Sequence, residues 1–469
     1  MRKLFGTDGI RGLAGKSPLT SREIFYLGKA AGTVLNQHFP GQKSKIVIVR
    51  DTRASGQKIL RSLEEGLRST GVDVFDGGVM NTPSVSYIVQ THRFQSGAVI
   101  SASHNPAEFN GIKFFTAHGV KWPDVWEEKV EDLFFKSVIA RSPPRRATKQ
   151  SHYVIASPSS RARNDKQTGI LIEAPSLTDD YEDFLIETLD GQAYLTGLKV
   201  AVDCANGANY LIAPQVLKRL GAETVLISHH PDGKNINFNC GSLHTRKLAR
   251  VVRSNRCDAG IAFDGDGDRV IFIDEKGQER DGDFLIALLA KVLKLKKELK
   301  GNLVVITVMA NLGLKKALRK FGIRAFVTPV GDRHVALAMK KYGSVLGGEQ
   351  SGHIILGRHL STGDGLLTAI HVLSVLRESG LPLSKLVGWV KKYPQVLLNV
   401  PVQEKKPLES LNGASRKIEQ VKKTLGDNGR VFVRYSGTEP LLRVMLEGPD
   451  QKKLAEYAQD IADAILAEF

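Results

Sequence analysis

The sequence predicts an α/β protein of three similar domains with mostly parallel mixed sheets, followed by a smaller α+β domain, all four set around a central cleft. Two observations carry that expectation. The chain has 469 residues, far more than one ordinary core needs at about 150 residues per domain. One pattern of buried strand, helix and glycine-led strand also recurs three times, as similar patterning rather than as identical residues.

The first strand of the pattern reads Lys-Ile-Val-Ile-Val at 45–49, Leu-Lys-Val-Ala-Val at 198–202 and Leu-Val-Val-Ile-Thr at 303–307. A polar turn and a helix follow each. The second strand is led by glycine, at 71–75, 221–226 and 322–327, and the third, at 96–100, 258–263 and 342–346, runs into a polar loop. Strand alternating with helix implies a largely parallel sheet covered on both faces. In such sheets ligand chemistry collects at loops beyond the carboxyl ends of strands, so the three loops should face one cleft. After Pro394 the pattern changes to a helix-like 408–425, strands at 430–434 and 442–446 and an amphipathic helix to Phe469. The expected domains are 1–170, 171–275, 276–392 and 393–469.

With 42% hydrophobic and 25% charged residues the composition is that of a folded globular chain, which excludes global disorder. The N-terminus turns polar and glycine-rich at once, without an apolar run of signal-peptide length. No run approaches the roughly 18 apolar residues of a membrane span. Cys204, Cys240 and Cys257 are odd in number and widely spaced, which suits neither a disulfide framework nor a zinc site. A reducing cytoplasm, with no membrane partner, is the expectation. The net charge of +17 is the outlier. It suits anionic substrates, or contact with nucleic acid or an anionic surface. Much of it lies in a basic insertion at about 137–170, rich in Pro and Ser, which reads first as a solvated loop.

Four loops carry chemistry. Asp264, Asp266 and Asp268 alternate with glycines directly after an apolar strand, so three hard oxygen donors converge on one point. Such donors suit Mg²⁺ or Ca²⁺. The segment is no EF-hand, because 270–273 is a strand; a purely structural acidic turn is the alternative, against which carboxylate repulsion counts. Ser103 stands in a Ser-His-Asn-Pro turn at a strand end. Alone it would read as a turn serine, and without a Gly-x-Ser-x-Gly elbow it does not suit acyl transfer. Facing a metal, it is placed for phosphoryl transfer. Arg434, Ser436, Gly437, Thr438 and Arg443 gather donors around one turn, fitting a phosphate dianion, with a solvated turn as the alternative. The 347–353 loop offers Glu349 and Ser351 to hydroxyl groups and His353 as a proton carrier.

Together these segments resemble the α-D-phosphohexomutase superfamily. The resemblance is carried by Phe-Gly-Thr-Asp-Gly-Ile-Arg-Gly at 5–12, Ser-Ala-Ser-His-Asn-Pro at 101–106, Asn-Gly-Ile-Lys-Phe-Phe at 110–115, Asp-Cys-Ala-Asn-Gly-Ala at 203–208, and the stretches 260–269, 347–355 and 436–443. It spans nearly the whole chain, and Gln350 favours the branch acting on glucosamine phosphates. The resemblance implies an isomerase that interconverts glucosamine 6-phosphate and glucosamine 1-phosphate through phosphoserine and a 1,6-bisphosphate, upstream of UDP-N-acetylglucosamine and cell-wall precursors. It implies Ser103 as the phosphorylated residue, and one Mg²⁺ per subunit on Ser103, Asp264, Asp266 and Asp268. Lys113 and His353 would be base and acid, with His104 and Arg269 beside them. Glu349, Ser351 and Arg333 would meet the sugar, and Arg434, Ser436, Gly437, Thr438 and Arg443 the distal phosphate. Thr7 and Arg11 would complete the cleft. Glucosamine 1,6-bisphosphate or a related bisphosphate would activate the enzyme, an activating phosphorylation would fall on Ser103, and the chain could form a homodimer. Relatives usually place an aromatic residue near Ala107 and aspartate at Phe109, so the loop beside Ser103 is altered. Rival readings are a phosphomannomutase or phosphoglucomutase, a sugar phosphatase, and a non-catalytic module binding anions or nucleic acid.

Overall fold

Among the described residues of the computed structural model, three of the four sheets are built on one strand order. Residues 4–6, 8–139, 168–189, 195–435 and 441–469 are described. The first sheet contains β1 (Ile10–Leu13), β2 (Lys45–Arg50), β3 (Asp73–Val79), β4 (Ser96–Ile100), β5 (Phe109–Thr116) and β6 (Leu171–Glu173). The second contains β7 (Lys199–Asp203), β8 (Glu223–Ile227), β9 (Ala259–Phe263), β10 (Val270–Asp274) and β11 (Glu279–Arg280). The third contains β12 (Leu303–Thr307), β13 (Arg324–Thr328), β14 (Leu346–Gly348) and β15 (Ile354–Leu356).

The order β5-β4-β2-β3 of the first sheet recurs as β10-β9-β7-β8 and as β15-β14-β12-β13. In each, a central strand pairs in parallel with both neighbours. The third strand of the pattern then turns back into an antiparallel partner. Ser103, the aspartate loop and the Glu349–His353 segment therefore occupy the same place in three copies, the connection between a parallel strand and its hairpin return.

The expected strands are present with shifted ends. Gly71, Gly221 and Gly322 have positive φ and form the turns that end the preceding helices, so each second strand starts two residues later. The segment 342–346 departs further: Tyr342 ends the helix Asp332–Tyr342, Gly343 closes it, and the strand begins at Leu346. Gly347 and Gly348, expected in a loop, are strand residues.

One continuous apolar core joins β2, β7, β9 and β12 to the helices Leu177–Glu187, Gly282–Leu295 and Gly365–Ser379. Gly282–Leu295 is buried from Gly282 to Ala290 without a break, as expected of a helix enclosed on all sides. Asp281 and Asp364 cap the last two of these helices by accepting from the amides of Asp283 and of Leu366 and Leu367. The fourth sheet is antiparallel, with β16 (Gln395–Pro401), β17 (Arg430–Tyr435) and β18 (Leu441–Glu447) in the order β16-β18-β17. It has its own core, including Leu442, Val444 and Ile461. Polar contacts tie it to the third sheet: Asn311 donates to Glu447 at 3.2 Å, and Arg430 bonds the carbonyl of Val308. No helix among the described residues is long and apolar enough to cross a membrane.

Candidate active site

Ser103 sits just past β4 with φ +53°, a left-handed conformation that a non-glycine residue holds only when its surroundings impose it. The surroundings here are a buried clamp. Arg53 Nε donates to Asp51 Oδ2 at 2.8 Å, one terminal nitrogen bonds the carbonyls of Pro106 and Phe109, and the other those of Ser103 (3.0 Å) and Asn105 (2.8 Å). Asp51 Oδ2 accepts from Ser101 Oγ at 2.5 Å, and Ser101 Oγ accepts from the Ser103 amide at 2.9 Å. Arg53 and Asp51 are both fully buried.

The Ser103 hydroxyl donates to Asp264 Oδ2 at 2.7 Å. His104 Nδ1 is 3.4 Å away and faces Arg269 Nη1 at 3.3 Å. Burial, Arg269 and Arg11 push the His104 pKa down to about 4, so the imidazole is neutral and accepts from Arg269. The serine proton points at the carboxylate, which is not the Ser–His arrangement of an acyl-transfer enzyme.

Among the described residues Asp264, Asp266 and Asp268 are the group able to hold a metal: one oxygen of each lies within 4.8 Å of the others, and all three are buried. The donor set fits a hard divalent cation. Asp266 Oδ1 and Asp268 Oδ1 are buried without a hydrogen-bond partner. Burial, and then Asp268 and Asp266, push the Asp264 carboxyl well above its usual range; a cation would relieve the same repulsion.

Around this trio stand the other expected residues. Lys113 is buried and bonds Asp266 Oδ2 at 3.0 Å and Asp8 Oδ2 at 3.1 Å. Burial alone would lower its pKa, but Asp266 and Asp8 raise it above the ordinary lysine value, so Lys113 as found is a held ammonium. His353 Nδ1 lies 3.4 Å from Asp268 Oδ2, while Nε2 accepts from the Gly363 amide at 3.1 Å. With both nitrogens engaged, the ring orients Asp268. Glu349 accepts from the Gly331 amide at 3.1 Å, and Ser351 is exposed beside it. Arg11 bonds Asn105 Oδ1 at 3.2 Å and pairs with Asp8.

Arg333 bonds the Trp122 carbonyl at 3.0 Å and pairs with Asp124, so it ties the third domain to the first. Lys121 reinforces the same seam by pairing with Asp8 and, at 2.6 Å, with Asp332. Arg434 and Arg443 are direct cross-strand partners on β17 and β18. Like charges placed opposite each other are unfavourable in a sheet, and a bound dianion would relieve them. Thr7, Ser436, Gly437 and Thr438, and most of the basic insertion, lie outside the described residues.

The residues that sequence reasoning missed are Asp51, Arg53, Asp8, Lys121 and Asp332. The available signal was position alone: Asp-Thr-Arg at 51–53 directly follows a buried strand.

Comparison with known proteins places the whole chain in one family. Four family models match in order: phosphoglucomutase/phosphomannomutase alpha/beta/alpha domain I over residues 2–139, domain II over 179–277, domain III over 281–393 and the C-terminal domain over 397–464. A phosphoglucosamine mutase of Caldicellulosiruptor bescii is 45% identical over 467 residues, 99% of each chain. One of Geobacter metallireducens is 44% identical over 466 residues, covering 99% of this chain and 98% of its own. Among solved structures, a phosphoglucomutase/phosphomannomutase family protein of Burkholderia thailandensis superposes with TM-score 0.78 at 24% identity, covering 99% of this chain and 97% of that one. An N-acetylphosphoglucosamine mutase of Aspergillus fumigatus does so with TM-score 0.67 at 18% identity, covering 99% and 95%. The chain belongs to the phosphoglucomutase/phosphomannomutase family, and it is an isomerase of the phosphohexomutase kind.

Proposed function

We propose that the protein interconverts glucosamine 6-phosphate and glucosamine 1-phosphate in the cytoplasm, supplying the amino-sugar phosphate from which UDP-N-acetylglucosamine and cell-wall precursors are made. The observation that carries the chemistry is the Ser103 hydroxyl held on Asp264 inside a buried carboxylate trio. The full-length relatives that bear the name phosphoglucosamine mutase support the sugar.

The reaction starts from Ser103 carrying a phosphoryl group. The P–Oγ bond breaks as a P–O bond forms to the 1-hydroxyl of the sugar, whose proton ends on Ser103 Oγ, giving the 1,6-bisphosphate. The bisphosphate turns end for end. Its 6-phosphoryl group then passes back to Ser103 Oγ, and the serine proton goes to the 6-oxygen. Mg²⁺ on Asp264, Asp266, Asp268 and the Ser103 phosphoryl group would neutralise charge on the transferring oxygens.

The chain's own residues do the rest. Arg53 and Asp51 fix the serine loop, and the neutral His104, hydrogen-bonded to Arg269, lines it. Lys113 and His353 are the candidates for moving protons: Lys113 as found suits the donating half, while His353 acts through Asp268. Glu349 and Ser351 bind sugar hydroxyl groups. Arg434 and Arg443, with Ser436, Gly437 and Thr438, hold the phosphate that is not reacting, whichever end of the sugar carries it. A C-terminal domain with a separate core can turn to accommodate both poses.

A coupled assay with Mg²⁺ and a bisphosphate activator, run on glucosamine, glucose and mannose phosphates, tests the proposal. Preferred turnover of the glucosamine phosphates without release of inorganic phosphate is expected. Preference for glucose or mannose phosphates would overturn the sugar assignment, and phosphate release would make the protein a phosphatase.

A further inference from the structure

Gln350, the residue that points toward the glucosamine branch, binds the protein through its amide nitrogen. Its Nε2 donates to Asp281 Oδ2 at 3.1 Å. The same oxygen pairs with Lys392 Nζ, while the other oxygen caps a helix through the Asp283 amide. Lys392 lies in the connection into the C-terminal domain. The next residue, Tyr393, is strapped down by Asn311, which accepts from its amide at 2.9 Å and donates to its carbonyl at 3.0 Å. Asn311 also reaches Glu447, the last residue of β18, and the Pro394 carbonyl accepts from the Gly448 amide at 3.2 Å. An unbroken polar path therefore runs from the Glu349–His353 segment to the base of the fourth sheet.

The segment's backbone is tied at two further points: Gly282 N donates to the Gln350 carbonyl at 3.0 Å, and Val270 N to the Gly352 carbonyl at 3.2 Å. Neither bond involves the C-terminal connection. Among the described residues Asp281 is the link that does, and its side chain is 8% exposed. Removing Lys392 would leave a buried carboxylate short of its cation, a strongly unfavourable arrangement that displaces its other partners.

We propose that Asp281 and Lys392 are positioning residues for the sugar loop, so that the connection into the C-terminal domain sets, through Gln350, where Glu349 stands. This rests on the reading of Glu349 as a sugar-binding group. It couples the element that holds the sugar hydroxyls to the element that carries the phosphate-binding arginines, and it gives Gln350 a role in placing the loop.

The test uses the full chain as Lys392→Met, Gln350→Leu and the double variant. Hydrogen–deuterium exchange without substrate reads the loop directly: amides of residues 349–352 should exchange roughly fivefold faster in each single variant, no faster again in the double, and unchanged in the first-domain helix Ser21–His38. Wild-type exchange in Lys392→Met, or effects that multiply in the double variant, would overturn the coupling. In the mutase assay the KM for glucosamine 6-phosphate should rise about three- to tenfold in Lys392→Met with kcat within about twofold; an unchanged KM alongside faster exchange would remove the positioning role. If the wild-type protein does not turn over glucosamine 6-phosphate, the proposed function fails while the exchange measurement still decides the coupling.

Discussion

Asp264 Oδ2 accepts the Ser103 hydroxyl at 2.7 Å, joining residues 161 positions apart that occupy the same hairpin connection in two copies of one strand order. The repeat explains how the site comes to exist. Three equivalent connections point to one place because three equivalent sheets pack on a shared core.

Arg53 holds that geometry in place. Arg53→Met removes the bonds to four carbonyls of the serine loop and leaves Asp51 buried and unpaired, which should cost about 3–5 kcal/mol of stability. Arg53→Lys should recover part of the stability but little activity, because one ammonium cannot reproduce the guanidinium fork. Denaturant unfolding together with kcat would show this, and wild-type kcat in Arg53→Lys would refute the clamp.

Asp266→Asn replaces one anionic donor of the trio and also the partner of Lys113 and Thr82. The Mg²⁺ concentration for half-maximal activity should rise at least about tenfold, the scale on which metal sites respond to lost ligands and supports. Chelation of the wild-type protein should abolish turnover, and Mg²⁺ should restore it. A metal titration of activity that is the same in both proteins would remove Asp266 from the ligand set.

Gly282 lies under the sugar loop, where an added Cβ would sit 2.2 Å from the Glu349 carbonyl oxygen. Gly282→Ala should push the loop out of register and raise the KM for the phosphosugar about tenfold, while circular dichroism shows the fold retained. Unchanged kinetics would mean that the position of this loop does not govern substrate binding.

Burial raises the Asp364 pKa to about 6, against hydrogen bonds from Tyr181, Leu367 and Leu366 that lower it. Because the folded value exceeds the unfolded one, this group favours the folded state below about pH 4, and that contribution is lost as pH rises through 6. The difference amounts to about 3 kcal/mol. Asp364→Asn keeps an acceptor for the helix amides and does not ionise. Its stability relative to wild type should therefore improve as pH goes from 4 to 7, as read from urea unfolding at several pH values. A difference independent of pH would contradict the shift.

The parts of the fold legible in the sequence are those written locally. β2, β7 and β12 are short apolar runs, and the glycines at 71, 221 and 322 mark turns that only their conformational freedom allows. β16 went unread although Val396, Leu398 and Val400 alternate along it, because nothing local separates that alternation from the loop before it. The serine, aspartate and Glu349 loops were visible as residue patterns. The Arg53 clamp, the Asp8–Lys121–Asp332 seam and the contacts of Arg333 with Trp122 and Asp124 were not, since each depends on which strand ends the topology brings together. The strand at 346–348 was misread because Gly-Gly resembles a loop; in the structure Cβ atoms there would meet Met339 Sδ at 2.5 Å and the His353 carbonyl at 2.6 Å.

The most direct measurement compares wild type and Ser103→Ala in converting glucosamine 6-phosphate to glucosamine 1-phosphate, with thermal unfolding run in parallel. Ser103→Ala should lose at least about a thousandfold in kcat, a change of some 4 kcal/mol in the barrier, with an unfolding temperature close to that of wild type. Ordinary turnover by the well-folded Ser103→Ala protein would contradict phosphoryl transfer through Ser103.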